Sequence, residues 1–387
     1  MANKKFIKSL VAVFILLSLT GCWDSHEIEE LGMIIGTAID KKTGMDEDQL
    51  ILTNQFVIPI AEGQTGKGSG SSSQQKPFLN VTISGNSIRE IVRKLTVRNS
   101  RPPYYRHLKV LVLGKKVAKD MDLQKLLDYF LRNRQLRRSV RLFIATNQAR
   151  PIMKLTNEQE KIPSFELLGL TDNNYDTNEM VTDSTLGEIS KYISANKSFL
   201  IQRISKWKGH AKLNGAAVFS AKREKMIGTF NESEVSSLNW ILGKDKGGIV
   251  EIENGPSNIR IVYEIEKITS HIKPKIEGDD ISFKVNISSE GRIVENWDVS
   301  GHTLDPKFVK KVKKAVQKKV KKNIQHVIDK MQKDLKVDVA GFGEQIRIHA
   351  PGLWDQLKSN WDNRFSEVPI KVNLDITIQS YGLQGSK

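Results

Sequence analysis

"RHLKVLVLGKKVAKDMDLQKLLDYFLRNRQLRRSVRLFIATN", residues 106–147, decides the fold. Residues 106–114 and 140–147 are short apolar runs containing β-branched residues, and they read as buried strands. Between them Leu123, Leu126, Leu127, Phe130 and Leu131 recur at three- and four-residue spacing. Residues 121–133 therefore read as an amphipathic helix with these side chains inward. A strand, a helix and another strand in close succession indicate α/β packing, in which helices cover a sheet.

Toward the N-terminus, residues 31–40 and 50–60 read as strands, with a turn at Lys42-Thr43-Gly44. "GQTGKGSGSSSQQK", 63–76, reads as a flexible surface loop. A strand at 78–84 leads to a helix from Asn86, with Ile88, Ile91, Val92 and Leu95 on one face. Toward the C-terminus, 148–197 reads as mostly helical, and "SFLIQRISKW", 198–207, as a strand that leads to a composition break at Gly209. Residues 211–220 and 225–230 form a hairpin-like pair. A helix then opens at Asn231 with Glu234 three residues on, the spacing of a capping box. Strands near 249–253, 258–272 and 280–290 follow, and after them a long helix. A helix around "LWDQLKSNW" and a strand at 368–379 close the chain.

The long helix is "DPKFVKKVKKAVQKKVKKNIQHVIDKMQKDL", 305–335. Asp305 suits the N-cap and Pro306 the first helical position. Phe308, Val312, Val316, Val320, Ile324, Val327, Met331 and Leu335 make one apolar stripe along about 45 Å, and lysines cover the rest. The stripe predicts packing against the C-terminal sheet. That leaves Lys310, Lys314, Lys318 and Lys321 either as a solvated face or as contacts for a partner or membrane.

The single cysteine, Cys22, follows Lys4, Lys5, Lys8 and an apolar run from Leu10 to Leu17. This is the layout of a secretory signal peptide, with a core shorter than a spanning helix needs. Leu19-Thr20-Gly21-Cys22 resembles a bacterial lipobox, in which the thiol takes a diacylglycerol through a thioether and cleavage falls just before it. A signal peptide with a chance cysteine, or an uncleaved anchor helix, is the competing interpretation. Residues 1–21 are expected to be removed. The mature chain is expected to divide into 22–206, a mixed α/β region of one or two subdomains, and 209–383, an α/β domain.

The formal charge of +16 is unevenly placed. Arg89–Arg141 carries sixteen Lys/Arg against four Asp/Glu, and Lys307–Lys336 twelve against two, so the remainder is net negative. Segregated charge produces a directed field. Export makes nucleic acid an unsuitable partner and favours anionic lipid, wall polymers or an acidic protein. "TVRNSRPPYYRH", 96–107, places Arg98, Arg101 and Arg106 beside Tyr104 and Tyr105. It reads either as a partner-binding loop or as a rigid connector with a tyrosine packed inward. No catalytic motif is present. Gly66-Lys67 lacks the flanking residues of a P-loop, there is no nucleophile elbow, and the seven histidines are scattered. Neither enzymatic activity nor a cofactor is expected.

"GCWDSHEIEELGMIIGTAIDK" resembles the start of the Ger(x)C family, the lipoprotein C subunits of spore germinant receptors. The resemblance rests on Cys22, Trp23, Asp24, Glu27, Ile28 and Gly36 to Asp40. It extends to "LNGAAVF", "IKPKI", the Lys/Val helix, and Trp354 and Trp361 before the last strand. It implies a multidomain mixed α/β fold, no enzymatic activity, lipid anchoring on the outer face of the inner spore membrane, and integral membrane A and B subunits as partners. The alternative is a solute-binding lipoprotein of a transporter, which predicts two doubly wound lobes around a cleft.

Overall fold

A computed structural model of the chain describes Phe6 and residues 30–42, 49–58, 76–173, 176–181, 184–244, 247–254, 259–278, 280–297 and 305–381. Apart from Phe6, the leader lies outside the described residues, as do Cys22 and the Gly/Ser-rich stretch up to residue 75.

Four strands run parallel at the centre of a nine-stranded sheet: β1 (Gly32–Lys42), β5 (Val110–Leu113), β6 (Arg141–Ala145) and β7 (Phe199–Trp207). Antiparallel strands flank them, β2 (Gln49–Val57) and β3 (Phe78–Gly85) on one side, β8 (His210–Ser220) and β9 (Lys225–Phe230) on the other. The short β4 (Pro103–Tyr104) pairs in parallel with the start of β1.

β5 has the sequence Val-Leu-Val-Leu and is buried throughout, as a central parallel strand covered on both faces requires. Leu111 and Leu113 pack with α1 (Ile88–Thr96), α2 (Lys115–Asp120), α3 (Leu123–Arg132) and α5 (Leu186–Ser194). Val110 and Val112 pack with α4 (Pro163–Asp172) and the 3₁₀ turn Ile152–Lys154. The helix read at 121–133 is thus α3 alone, preceded by the unanticipated α2. Met121 turns extended and ends α2, and Asp122 caps α3 by accepting from the Lys125 amide at 3.1 Å.

The composition break at Gly209 is a hairpin inside this sheet. Lys208 and Gly209 have φ of 46° and 92°, the doubly left-handed pair that a two-residue turn of right-handed twist demands, and Trp207 sits opposite His210.

The second sheet has the order β10 (Ile249–Asn254), β11 (Ile259–Glu277), β12 (Asp280–Asn296) and β13 (Ile370–Tyr381). One face packs against α6 (Glu232–Leu242), α7 (Pro306–Asp329), α8 (Phe342–His349) and α10 (Trp361–Phe365). The Asn231 side chain and the Glu234 backbone, and the Glu234 side chain and the Asn231 backbone, close the capping box at 2.8 Å each. Asp305 and Pro306 open α7. Its buried stripe, Phe308 through Ile328, meets Phe283, Val285, Val372 and Ile376. Each such side chain contributes about 1.5–3 kcal/mol, and this burial rather than the lysine-rich surface holds the helix. The α-helix gives way to a π turn at Lys330–Leu335, where buried Gln332 donates to the Phe365 and Val368 carbonyls at 2.8 Å. The single helix read around "LWDQLKSNW" is α9 (Pro351–Leu357), a 3₁₀ turn and α10, with α8 ahead of it.

The architecture is therefore mixed α+β, with two mixed sheets. The two doubly wound lobes that a solute-binding lipoprotein predicts do not form, because β8–β9 and β10–β12 pair antiparallel.

Candidate interaction surface

Parallel pairing puts the N-terminal ends of β1, β5, β6 and β7 at one edge of the nine-stranded sheet. Gly36, Val110 and Arg141 lie at one level across three strands. The loops that enter β5 and β6, residues 97–109 and 133–140, therefore lie beside the point where the chain enters β1. The Gly32 amide donates to the Pro102 carbonyl at 2.9 Å and the Lys109 amide to the Ile35 carbonyl at 2.7 Å. The two loops are tied to each other as well, since the Tyr105 amide donates to Gln135 Oε1 at 3.3 Å.

The anchor of this arrangement is Tyr105, which is 1% exposed. Its hydroxyl accepts from Asn54 Nδ2 at 3.1 Å, and Asn54 Oδ1 accepts from Thr37 Oγ1 at 2.8 Å. The ring packs edge-on against Tyr129. Burial pushes the phenol far above its ordinary pKa, so it stays neutral. Tyr105 is consequently no contact residue, which corrects the reading of both tyrosines as available to a partner. It is the inward-packed member of the pair and fixes the loop. Tyr104 is half-buried, and its hydroxyl bonds the exposed Arg106 guanidinium, raising the guanidinium pKa further.

What the edge presents is cationic. Arg98, Arg101, Arg106, Arg134, Arg137 and Arg138 are exposed, and neither loop contains Asp or Glu. Val97 beside them is 84% exposed. Among the described residues Arg98, Arg101, Arg134 and Arg137 form no ion pair, whereas Arg138 reaches Ser190 Oγ at 3.3 Å. Sequence reasoning picked out Arg98, Arg101 and Arg106 but missed Arg134, Arg137 and Arg138. The signal was available in "NRQLRRS", an acid-free run entering a strand parallel to β5.

Lys310, Lys314, Lys318 and Lys321 are exposed along the outer side of α7, on the layer over the second sheet, and the structure does not bring them to the arginine-rich edge. Other lysines of that helix are engaged. Lys313 pairs with Asp375 at 2.8 Å, and Lys330 meets both Glu234 oxygens at 2.7 Å. Among the described residues, no group of three His, Cys, Asp or Glu is placed to hold a metal ion, and no helix is long and apolar enough to cross a membrane.

Residues 24–206 match the family described as spore germination protein N-terminal domain, and residues 214–382 match spore germination B3/GerAC like, C-terminal. The chain is 36% identical to spore germination protein YndF of Bacillus subtilis (strain 168), with 98% of each chain covered. It is 30% identical to spore germination protein B3 of the same organism, again with 98% of each covered. Its fold is similar to the crystal structure of the GerBC protein, with a TM-score of 0.61 and 26% identity over 89% of this chain and 97% of that one.

Proposed function

We propose that this chain, which belongs to the spore germination B3/GerAC-like family, is the lipid-anchored C subunit of a nutrient germinant receptor. Cys22 carries the diacylglycerol. The arginine-rich edge lies against anionic headgroups, and the remaining surface is left for the integral membrane A and B subunits. The protein acts by docking and not by catalysis, at the outer face of the cell membrane or inner spore membrane.

One observation carries this reading. The parallel topology gathers six exposed arginines at the same sheet edge where the chain enters β1 from the direction of Cys22. A tether and a cationic surface at one end of a domain are the two signals that firm membrane attachment needs, since each cation near an anionic leaflet contributes about 1 kcal/mol.

The test is Cys22→Ala in the native host. The variant should accumulate as unprocessed precursor, lose all incorporation of radiolabelled palmitate, and give spores that germinate poorly in nutrients. Undiminished palmitate labelling would remove the anchor from this account.

A further inference from the structure

Among the described residues nothing covers the outer face of the second sheet, and its register sets three lysines side by side. Lys273 on β11 pairs with Lys284 on β12, and Lys284 pairs with Lys371 on β13. All three are exposed, all lie on the face opposite Phe283, Val285 and Val372, and among the described residues none forms an ion pair or side-chain hydrogen bond. With strands about 4.8 Å apart, the row spans only about 10 Å. Like charges directly opposite on a sheet are destabilising. Two other cations on this sheet are matched: Arg292 meets Glu264 at 2.6 Å and Lys275 meets Glu277 at 2.8 Å. The next row on the same face is His271, Asn286 and Asn373, with Asn373 Nδ2 donating to Asn286 Oδ1 at 2.9 Å.

We propose that the row of Lys273, Lys284 and Lys371 is a docking site for an acidic segment of a protein partner. The row is a line of charge one residue deep along the strands, and it is flanked by amide donors. A narrow chain of carboxylates matches that shape. A planar anionic bilayer matches it less well, because the next row on the same face is His271, Asn286 and Asn373 and holds no lysine. The repulsion among the three ammonium groups is relieved when carboxylates lie between them, so binding and folding place opposite demands on the row.

This proposal stands apart from the lipid anchor and is tested separately, by fluorescence anisotropy of a labelled poly-glutamate peptide with the full chain. Changing Lys273, Lys284 and Lys371 together to Ser should weaken binding by about tenfold or more. Changing Lys310, Lys314 and Lys318 to Ser on α7 should leave binding within about twofold. Lys284→Ser alone should raise the unfolding temperature while lowering affinity, a pairing that a merely structural lysine cannot produce. Three results overturn the proposal: peptide affinity unchanged in the sheet variant, a fall in unfolding temperature for Lys284→Ser, or loss of phosphatidylglycerol-vesicle binding in the sheet variant without loss of peptide binding.

Discussion

Glu344 joins the two halves of the chain through a single carboxylate. It receives Arg347 Nε at 2.9 Å and Nη2 at 2.6 Å from its own helix, and Lys197 Nζ at 2.8 Å from the turn that follows α5. The Arg347 hydrogen bonds, aided by Lys197 and opposed by partial burial, hold the carboxyl down at about 2, against an ordinary value of 4.5. A depressed carboxyl stabilises the fold above its unfolded pKa, and that contribution is lost as pH falls through the folded value. Glu344→Gln should therefore cost about 1 kcal/mol at pH 7, a modest figure because solvent reaches Lys197 and Arg347. The urea curves of variant and parent should converge between pH 4.5 and about 2, and a gap of constant size over that window would show the carboxylate to be uncoupled from folding. Single residues also mark where sequence reading stops. Tyr104 and Tyr105 are adjacent and chemically identical, and only the partners Asn54, Tyr129 and Gln135, from three other segments, decide that Tyr105 turns inward.

At the scale of elements, α7 was the most legible part of the chain because its information is local. A buried side chain every third or fourth residue, an Asp at the N-cap and a Pro after it specify a helix whatever it packs against. The structure keeps that stripe and adds the π turn at Lys330–Leu335, in which Gln332 reaches two carbonyls more than 30 residues away. The strands were legible, and so was the β8–β9 hairpin, but the parallel pairings were not. Nothing in "SFLIQRISKW" or "AKLNGAAVFS" states that β7 joins a parallel core on one side and β8 on the other; the change of composition at Gly209 falls between the two matched family regions, 24–206 and 214–382, at the hairpin through which the first sheet continues. α2 and α8 were missed for a related reason: both are short, and α2 buries just Val117 and Ala118. The division of labour in α7 yields a sharp contrast. Ile324 is fully buried, so Ile324→Ala should destabilise the protein by about 2–5 kcal/mol in chemical denaturation. Lys318→Ala, on the exposed side, should stay within about 0.5 kcal/mol. Equal costs for the two would mean that the lysine surface, and not the stripe, sustains the helix.

For the whole molecule, the proposed anchoring raises the question of which side would face a membrane. Three basic surfaces compete: the arginine edge of the first sheet, the outer side of α7, and the lysine row of the second sheet. The sheet row and the α7 lysines lie on opposite sides of one sheet-and-helix sandwich, so a flat bilayer cannot meet both. The hairpin with Trp207, 54% exposed, points from the opposite end of the parallel strands and is excluded from any surface that contacts the arginine edge. Cys22 lies ten residues before Gly32, a reach of at most about 35 Å, which would let the arginine edge rest on headgroups without strain in the proposed tether. In a chain that begins at Trp23, with neither leader nor lipid, only electrostatics remains, and the protein should sediment with phosphatidylglycerol vesicles and not with phosphatidylcholine vesicles, and raised salt should release it. Each of Arg98, Arg101, Arg134 and Arg137 changed to Ser should weaken that partition by about fivefold, with the effects multiplying. Substituting Lys310, Lys314, Lys318 and Lys321 in the same way should change it by less than about twofold overall. The reverse ranking would turn the molecule over, setting α7 on the bilayer and freeing the arginine edge for a protein partner.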